Sequence, residues 1–417
     1  MATIIRNSTI VNHDGIISGD IVIRDGVFAQ AGGNADITAE DDVIDASELH
    51  AFPGIVDIHV HLRDPGQTHK EDIISGCAAA AAGGVTSIVC MPNTSPAVDR
   101  PETVAYILDK ARNTGLRVYP AAAITYGLSG KGCCDYEAMK GAGAAALSDD
   151  GRPVENDEML INALKEGKRL GLPVLCHCED LHQAAGGKVH EGMASQMLGV
   201  KGMSSSSEYG DIERTIRLAE SVNAPVHICH VSTKESIEII RQAKARGVKV
   251  TCETAPHYFV YTFEKVLGRD ADYRMNPPLR DEADRLAVIE GLLDGTIDAI
   301  ATDHAPHSPE EKSDFVKAPN GVVGMETSLS ATLTFMRDKL TLSAIAGLMC
   351  FNPAGIMGIS AGEIKVGAAA DVVLVDLNEK WVVDPEKLHG KSKNAVFKGE
   401  TLTGRVKATF CDGKRVF

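Results

Sequence analysis

Residues 3–44 alternate short apolar runs with glycine and Asn/Asp turns, as in Ile21-Val22-Ile23-Arg24, Asp25-Gly26, Val27-Phe28. Period-two alternation broken by such dipeptides predicts antiparallel hairpins. A second β-rich stretch lies near the other end: Asp371-Val372-Val373-Leu374-Val375-Asp376, then a run over 406–417 interrupted at Asp412-Gly413.

Between these stretches the pattern changes to strand, loop, helix, repeated. Thr68-x-x-Glu71 reads as a capping box before an Ala-rich helix that stops at Gly83-Gly84, and a buried strand follows over 86–91. Ser232-x-x-Glu235 opens a second such helix, Gly247 closes it, and Val248-Lys249-Val250-Thr251-Cys252 follows. The β-like runs are 56–59, 86–91, 117–122, 144–147, 174–177, 226–230, 248–252 and 299–302. Eight strands separated by helical stretches predict an α/β fold, a (β/α)₈ TIM-like barrel. The competing arrangement, an open doubly wound sheet, lacks support: no GxGxxG follows the first strand and no Walker lysine motif exists. The expected division is a barrel over 51–349 and a small β-domain formed by both termini, 1–50 with 350–417.

A chain of 417 residues has room for a full barrel plus an accessory unit. Its 44% hydrophobic and 24% charged residues are ordinary globular usage. No apolar run is long enough to span a bilayer, and residues 1–12 lack a basic segment followed by an apolar core, so a cytoplasmic protein without membrane association is expected. The net charge of −15, with no Lys/Arg cluster against it, disfavours nucleic acid. It also means that an anionic substrate would need a local cation or metal to attract it. Ten cysteines occur without a CxxC pair, several inside apolar runs, which favours reduced, buried thiols over disulfides or a zinc knuckle. The vicinal Cys133-Cys134 has no assigned role.

His59-x-His61 sits at the carboxyl end of the first predicted barrel strand, where residues i and i+2 face one side and two imidazoles can converge on an ion. An isolated HxH more often caps a strand, so the case rests on what accumulates. His177 ends the fifth strand, His230 the sixth, and Asp303 follows the eighth in Thr302-Asp303-His304. Barrel enzymes build their sites on this face, so four histidines and a carboxylate project into one bowl. Nitrogen and oxygen donors without thiolate suit Zn²⁺ foremost among divalent ions. Strand alternation turns Cys176, Cys178 and Cys229 away from the bowl, into core packing.

This constellation resembles the amidohydrolase superfamily, and three segments narrow the likeness. Asp57-Ile58-His59-Val60-His61-Leu62-Arg63-Asp64-Pro65-Gly66, Met275-Asn276-Pro277-Pro278-Leu279-Arg280 and Thr302-Asp303-His304-Ala305-Pro306-His307 are similar to signatures of the class I bacterial dihydroorotases. Many relatives bridge two metals with a carboxylated lysine after the fourth strand. Here that place reads Leu147-Ser148-Asp149-Asp150-Gly151, and the resemblance makes Asp150 the bridging ligand. By composition alone Asp149-Asp150-Gly151 reads equally as a turn.

The resemblance implies one or two Zn²⁺ per chain held by His59, His61, Asp150, His177, His230 and Asp303. It implies reversible hydrolysis of dihydroorotate to N-carbamoyl-aspartate by metal-activated water, for pyrimidine synthesis. Asp303 is the expected catalytic residue, accepting the proton of water and passing it to the departing nitrogen. A cyclic amide bearing a carboxylate requires a cation fork, and Arg63, two residues past His61, lies on the right side for it. The resemblance assigns Arg63, Asn93 and His307 to that carboxylate, with His61, Asn276, Asn320 and Gly321 near the ring. Each has a structural alternative: Arg63 paired with Asp64, Asn93 in a Pro92-Asn93 turn, His307 capping a helix near Pro309, Asn320-Gly321 as a plain turn. Two other functions compete, a hydantoinase or allantoinase-type amidase and a non-catalytic barrel serving as scaffold for another pyrimidine enzyme. The partner expected is a small molecule, with a homodimer left open.

Overall fold

The computed structural model describes residues 2–417. The barrel strands are Ile55–Val60, Val85–Cys90, Arg117–Ala122, Ala146–Leu147, Leu175–Cys176, Val226–Ile228, Val250–Thr254 and Ala299–Ile300. They form two parallel four-stranded sheets. Parallel bridges Leu147↔Val174 and Val60↔His304 join the sheets at both seams and close the barrel. Its interior is a packed core of short and branched side chains, including Val56, Ile58, Met91, Ala121 and Leu175, sealed by Ala354 and Met357 of the helix Asn352–Met357. Outer helices such as Asp157–Leu170, Ser206–Ser221 and Lys234–Ala245 bury one apolar face on the strands.

The chain ends meet in an eight-stranded sheet ordered Lys414–Arg415, Thr401–Cys411, Val372–Val382, His50–Pro53, Thr3–Asn12, Gly15–Arg24, Val27–Ala31, with Asp42–Asp45 beside Thr3–Asn12. The turns Asp25-Gly26 and Asp412-Gly413 place both residues at positive φ (52° and 79°; 49° and 72°), the geometry that matches the twist of a two-residue hairpin. Two expectations need correcting here. Asp42–Asp45 pairs in parallel with Thr3–Arg6 rather than closing a hairpin. His50–Pro53 pairs antiparallel with 372–375, so residues 51–53 lie in the terminal sheet, not in the barrel wall.

Helix starts also differ from the sequence reading. The Ala-rich helix is capped by Asp72, whose carboxylate accepts from Ser75 N, while Glu71 is buried against the backbone of Lys391. Thr233, not Ser232, caps the helix Lys234–Ala245. All ten cysteines are free, nine buried and Cys133 half-buried. Among the described residues no helix is long and apolar enough to cross a membrane.

The terminal segments also reach the catalytic face. Asn394 donates to Gly321 O (3.0 Å) and accepts from His307 N (3.3 Å), tying the loop after the eighth strand to the C-terminal part of the chain.

Candidate active site

The carboxyl ends of the barrel strands bring the six expected ligands together. His59 Nε2 lies 3.2 Å from Asp150 Oδ1, and His61 Nε2 lies 3.5 Å from Asp150 Oδ2. His177 Nδ1 and His230 Nε2 are 2.8 Å apart, at 3.6 and 3.8 Å from Asp150 Oδ1. Asp303 Oδ1 is 3.0 Å from His61 Nε2 and 3.7 Å from His59 Nε2. Burial raises the Asp303 carboxyl, but the His61 hydrogen bond and the neighbouring imidazoles outweigh it and hold the group below the ordinary carboxylate range.

Backbone conformation aims several of these groups. Asp303, His230 and Arg63 have φ of 46°, 35° and 59°, a left-handed region that costs a non-glycine residue free energy and concentrates at functional sites. His230 shows the consequence. The strand Val226–Ile228 turns His227 and Cys229 inward, so alternation would send His230 out; the left-handed residue swings it back to Asp150. The expectation that Cys229 points away is therefore wrong: its sulfur lies within 4.8 Å of donor atoms of His59 and Glu253. Burial pushes this thiol up to about 12, so it is protonated near neutral pH. Cys176 and Cys178 do pack into the outer core.

The Asp149-Asp150-Gly151 segment is both a turn and a source of donors. Asp149 accepts from Ile124 N (2.7 Å) and Thr125 N (3.1 Å), anchoring the turn to the preceding strand's loop, and Gly151 turns with φ 74°. Asp150 is left facing the histidines.

Two donor groups result, His59/His61/Asp150 and Asp150/His177/His230, each with ligand atoms within 4.8 Å of one another and with Asp150 common to both. His59 Nε2 and Asp150 Oδ1 are buried without a hydrogen-bond partner. Orphaned donor and acceptor atoms of this kind are costly unless an ion or water answers them. The nitrogen and oxygen set, with one carboxylate shared, fits divalent metal. Asp150→Ala is accordingly expected to lower bound metal, one ion more than the other, as measured by elemental analysis after purification without chelator. Unchanged metal content and activity would reduce the segment to a turn.

Above the histidines opens a cavity of about 200 Å³ whose lining includes Arg63, Asn93, Asn276, His307, Asn320 and Gly321, together with His61, Asp150 and Asp303. The alternative partner for Arg63 is otherwise engaged: Asp64 binds Lys110 Nζ (2.6 Å) and Tyr106 OH (2.9 Å). The Arg63 guanidinium instead donates to Pro306 O (3.2 Å) and lies 3.3 Å from His307 Nε2. Burial pulls its pKa down to about 10, against the carboxylates of Asp303 and Asp150, leaving it charged at neutral pH. Burial, then the Arg63 charge and nearby lysines, push His307 down to about 2, so it is a neutral imidazole. His307 Nε2 lies 2.9 Å from Asn320 O, a contact across the loop rather than a helix cap. Asn93 Oδ1 accepts from His61 Nδ1 (2.8 Å) and its amide approaches Asp150 (3.3 Å), so it orients two of the candidate ligands as well as lining the cavity.

Several supporting residues escaped the sequence reading. Glu179 approaches His177 Nε2 (3.2 Å) and accepts from Asn276 Nδ2 (3.1 Å). Arg274 donates to Asn320 Oδ1 (2.8 Å), and Lys312 Nζ clamps Ala271 O, Pro319 O and Arg274 O at 2.8, 3.0 and 3.2 Å. Glu253 stands behind His59. Glu179, two residues past a candidate ligand, was the one of these visible by spacing; the others depend on loop contacts that no local pattern encodes.

A family model described as Dihydro-orotase-like matches residues 50–236. The chain is 48% identical to a dihydroorotase of Citrifermentans bemidjiense, covering 95% of each chain. It is 46% identical to a dihydroorotase of Acetivibrio thermocellus, covering 97% of this chain and 95% of the other. In structure it is similar to the L-hydantoinase (dihydropyrimidinase) of Arthrobacter aurescens, with a TM-score of 0.88 at 27% identity over 99% of this chain and 95% of that one. A D-hydantoinase structure gives a TM-score of 0.84 at 28% identity, over 100% and 95% of the two chains.

Proposed function

Because the chain belongs to the dihydroorotase family, a family of cyclic amide hydrolases, we propose that it interconverts dihydroorotate and N-carbamoyl-aspartate at the His/Asp centre. The observation that carries the substrate assignment is Arg63: a buried, charged guanidinium opening on the same cavity as His61, Asp150 and Asp303. In a protein of net charge −15 this is a local cation placed to receive a ring carboxylate. Hydantoin rings carry no such carboxylate, which weighs the reading against the hydantoinase alternative despite the shared fold. The scaffold reading suffers from the opposite observation, a complete set of converging donors.

His59, His61, Asp150, His177, His230 and Asp303 would hold the resident ions, with zinc favoured by the donor set. A divalent ion supplies an acidified water, with pKa near 7, and polarisation of the attacked carbonyl. Asp303, within hydrogen-bond distance of His61 and open to the cavity, accepts the proton released by water and returns it to the ring nitrogen as the amide C–N bond breaks. Arg63, with Asn93 and neutral His307, holds the substrate carboxylate; Asn276, Asn320 and Gly321 line the ring side of the cavity. Asn394, Arg274 and Lys312 hold the loop that carries Asn320 and Gly321 in place through hydrogen bonds.

The same family reading gives the protein a cytoplasmic part in pyrimidine synthesis. We read the chain as a barrel carrying the site and a small β-domain formed by both ends. A reversible reaction must reach one equilibrium from both sides. Zinc-supplied protein mixed separately with dihydroorotate and with N-carbamoyl-aspartate is expected to give the same final ratio; no ring closure and no ring opening would refute the proposal.

A further inference from the structure

Glu253 lies on the inward face of the strand Val250–Thr254 and is 1% exposed. One carboxylate oxygen accepts from His59 Nδ1 at 2.8 Å and the other from His227 Nε2 at 3.2 Å. His227 is itself held through Nδ1 by the Thr251 hydroxyl at 2.9 Å. The chain Thr251, His227, Glu253, His59 thus runs up the barrel interior and ends at His59 Nε2, the orphaned atom that faces Asp150.

We propose that Glu253 is a positioning residue for one of the two ion positions. Accepting the Nδ1 proton fixes His59 in the tautomer whose Nε2 lone pair points at Asp150, and the carboxylate charge behind the ring raises that nitrogen's donor strength. The proposal rests on the two-ion reading of the centre. Its specific content is asymmetry. Glu253 touches a ligand of the His59/His61/Asp150 group only, whereas the Asp150/His177/His230 group has its own carboxylate, Glu179, beside His177.

Glu253→Gln separates positioning from mere structure. The amide oxygen still accepts from His59 Nδ1, and its NH₂ can donate to His227 if that ring takes its other tautomer, with Nδ1–H donating to the Thr251 hydroxyl. Every hydrogen-bond partner is then kept and only the charge is lost, so the metal-free protein should still fold, with its melting temperature lowered by no more than the loss of charge assistance in that one contact.

The measurement is a chelator competition titration of zinc from wild-type and variant protein, alongside melting of both metal-free proteins. One ion is expected to bind about 10- to 100-fold more weakly in Glu253→Gln while the other is unchanged. Glu253→Asp, which keeps the charge but withdraws it by one methylene, should weaken the same ion less and carries the test if the glutamine variant does not fold. Two ions held as tightly as in wild type would overturn the proposal. So would equal weakening of both ions with a metal-free melting temperature lowered beyond that, which would mark Glu253 as structural. Wild-type protein that takes up no zinc would instead sink the metal reading itself.

Discussion

Arg63→Met is expected to lower kcat/KM for dihydroorotate by at least about 10²-fold while hardly changing it for dihydrouracil, which lacks the ring carboxylate. The guanidinium is buried, charged and turned to the cavity, with Asp64 committed to Lys110 and Tyr106. Charge-assisted hydrogen bonds contribute roughly 1.5 to 3 kcal/mol each, and about 1.4 kcal/mol is a decade in rate. Methionine keeps much of the apolar stem but leaves the substrate carboxylate without a partner. If Arg63 served only the fold, both substrates would decline together and the melting temperature would drop. Steady-state kinetics on both substrates, with metal content and melting measured on the same preparation, separate the two outcomes.

Asp303→Asn is expected to keep the fold while turnover falls on the order of 10²-fold or more, the usual range for a general acid-base group. Asparagine preserves the shape and can still approach His61 Nε2, now 3.0 Å from Asp303 Oδ1, but it can neither take up nor return a proton at neutral pH. The left-handed φ of 46° is tolerated by asparagine about as well as by aspartate, so the backbone that aims the side chain survives. A well-folded, metal-loaded variant with near wild-type kcat would remove Asp303 from the proton path.

The barrel and the convergence of His59, His61, His177, His230 and Asp303 were legible in local regularities, whereas Asp150 was singled out by the resemblance and not by its own composition. Apolar runs of strand length bounded by helical stretches fix the strand count, and topology brings a histidine at the carboxyl end of a strand to the catalytic end of the barrel, though not the direction of its side chain. What the sequence could not supply was set by geometry beyond the local pattern. Cys229 faces inward with His227 by strand alternation, and His230 joins the same face only through its left-handed backbone; nothing in His227-Ile228-Cys229-His230 announces a positive φ at a non-glycine residue. Glu253 sits within a short strand-like run, where its neighbours Cys252 and Thr254 suggest ordinary packing; only barrel closure brings it under His59. The Ala-rich helix is capped by Asp72 rather than Thr68: Asp72 takes the Ser75 N–H, and Glu71 is drawn away to the backbone of Lys391, a contact from far along the chain. Asn394 reaches the site from far along the chain, through tertiary packing that no motif records.

The most direct test of the account is the preference of the zinc-loaded wild-type protein among cyclic amides. Measured side by side, kcat/KM for dihydroorotate should exceed that for hydantoin or allantoin by at least about 10²-fold, the margin attributed to Arg63. A preparation that turns over a neutral ring as well as or better than dihydroorotate would contradict it.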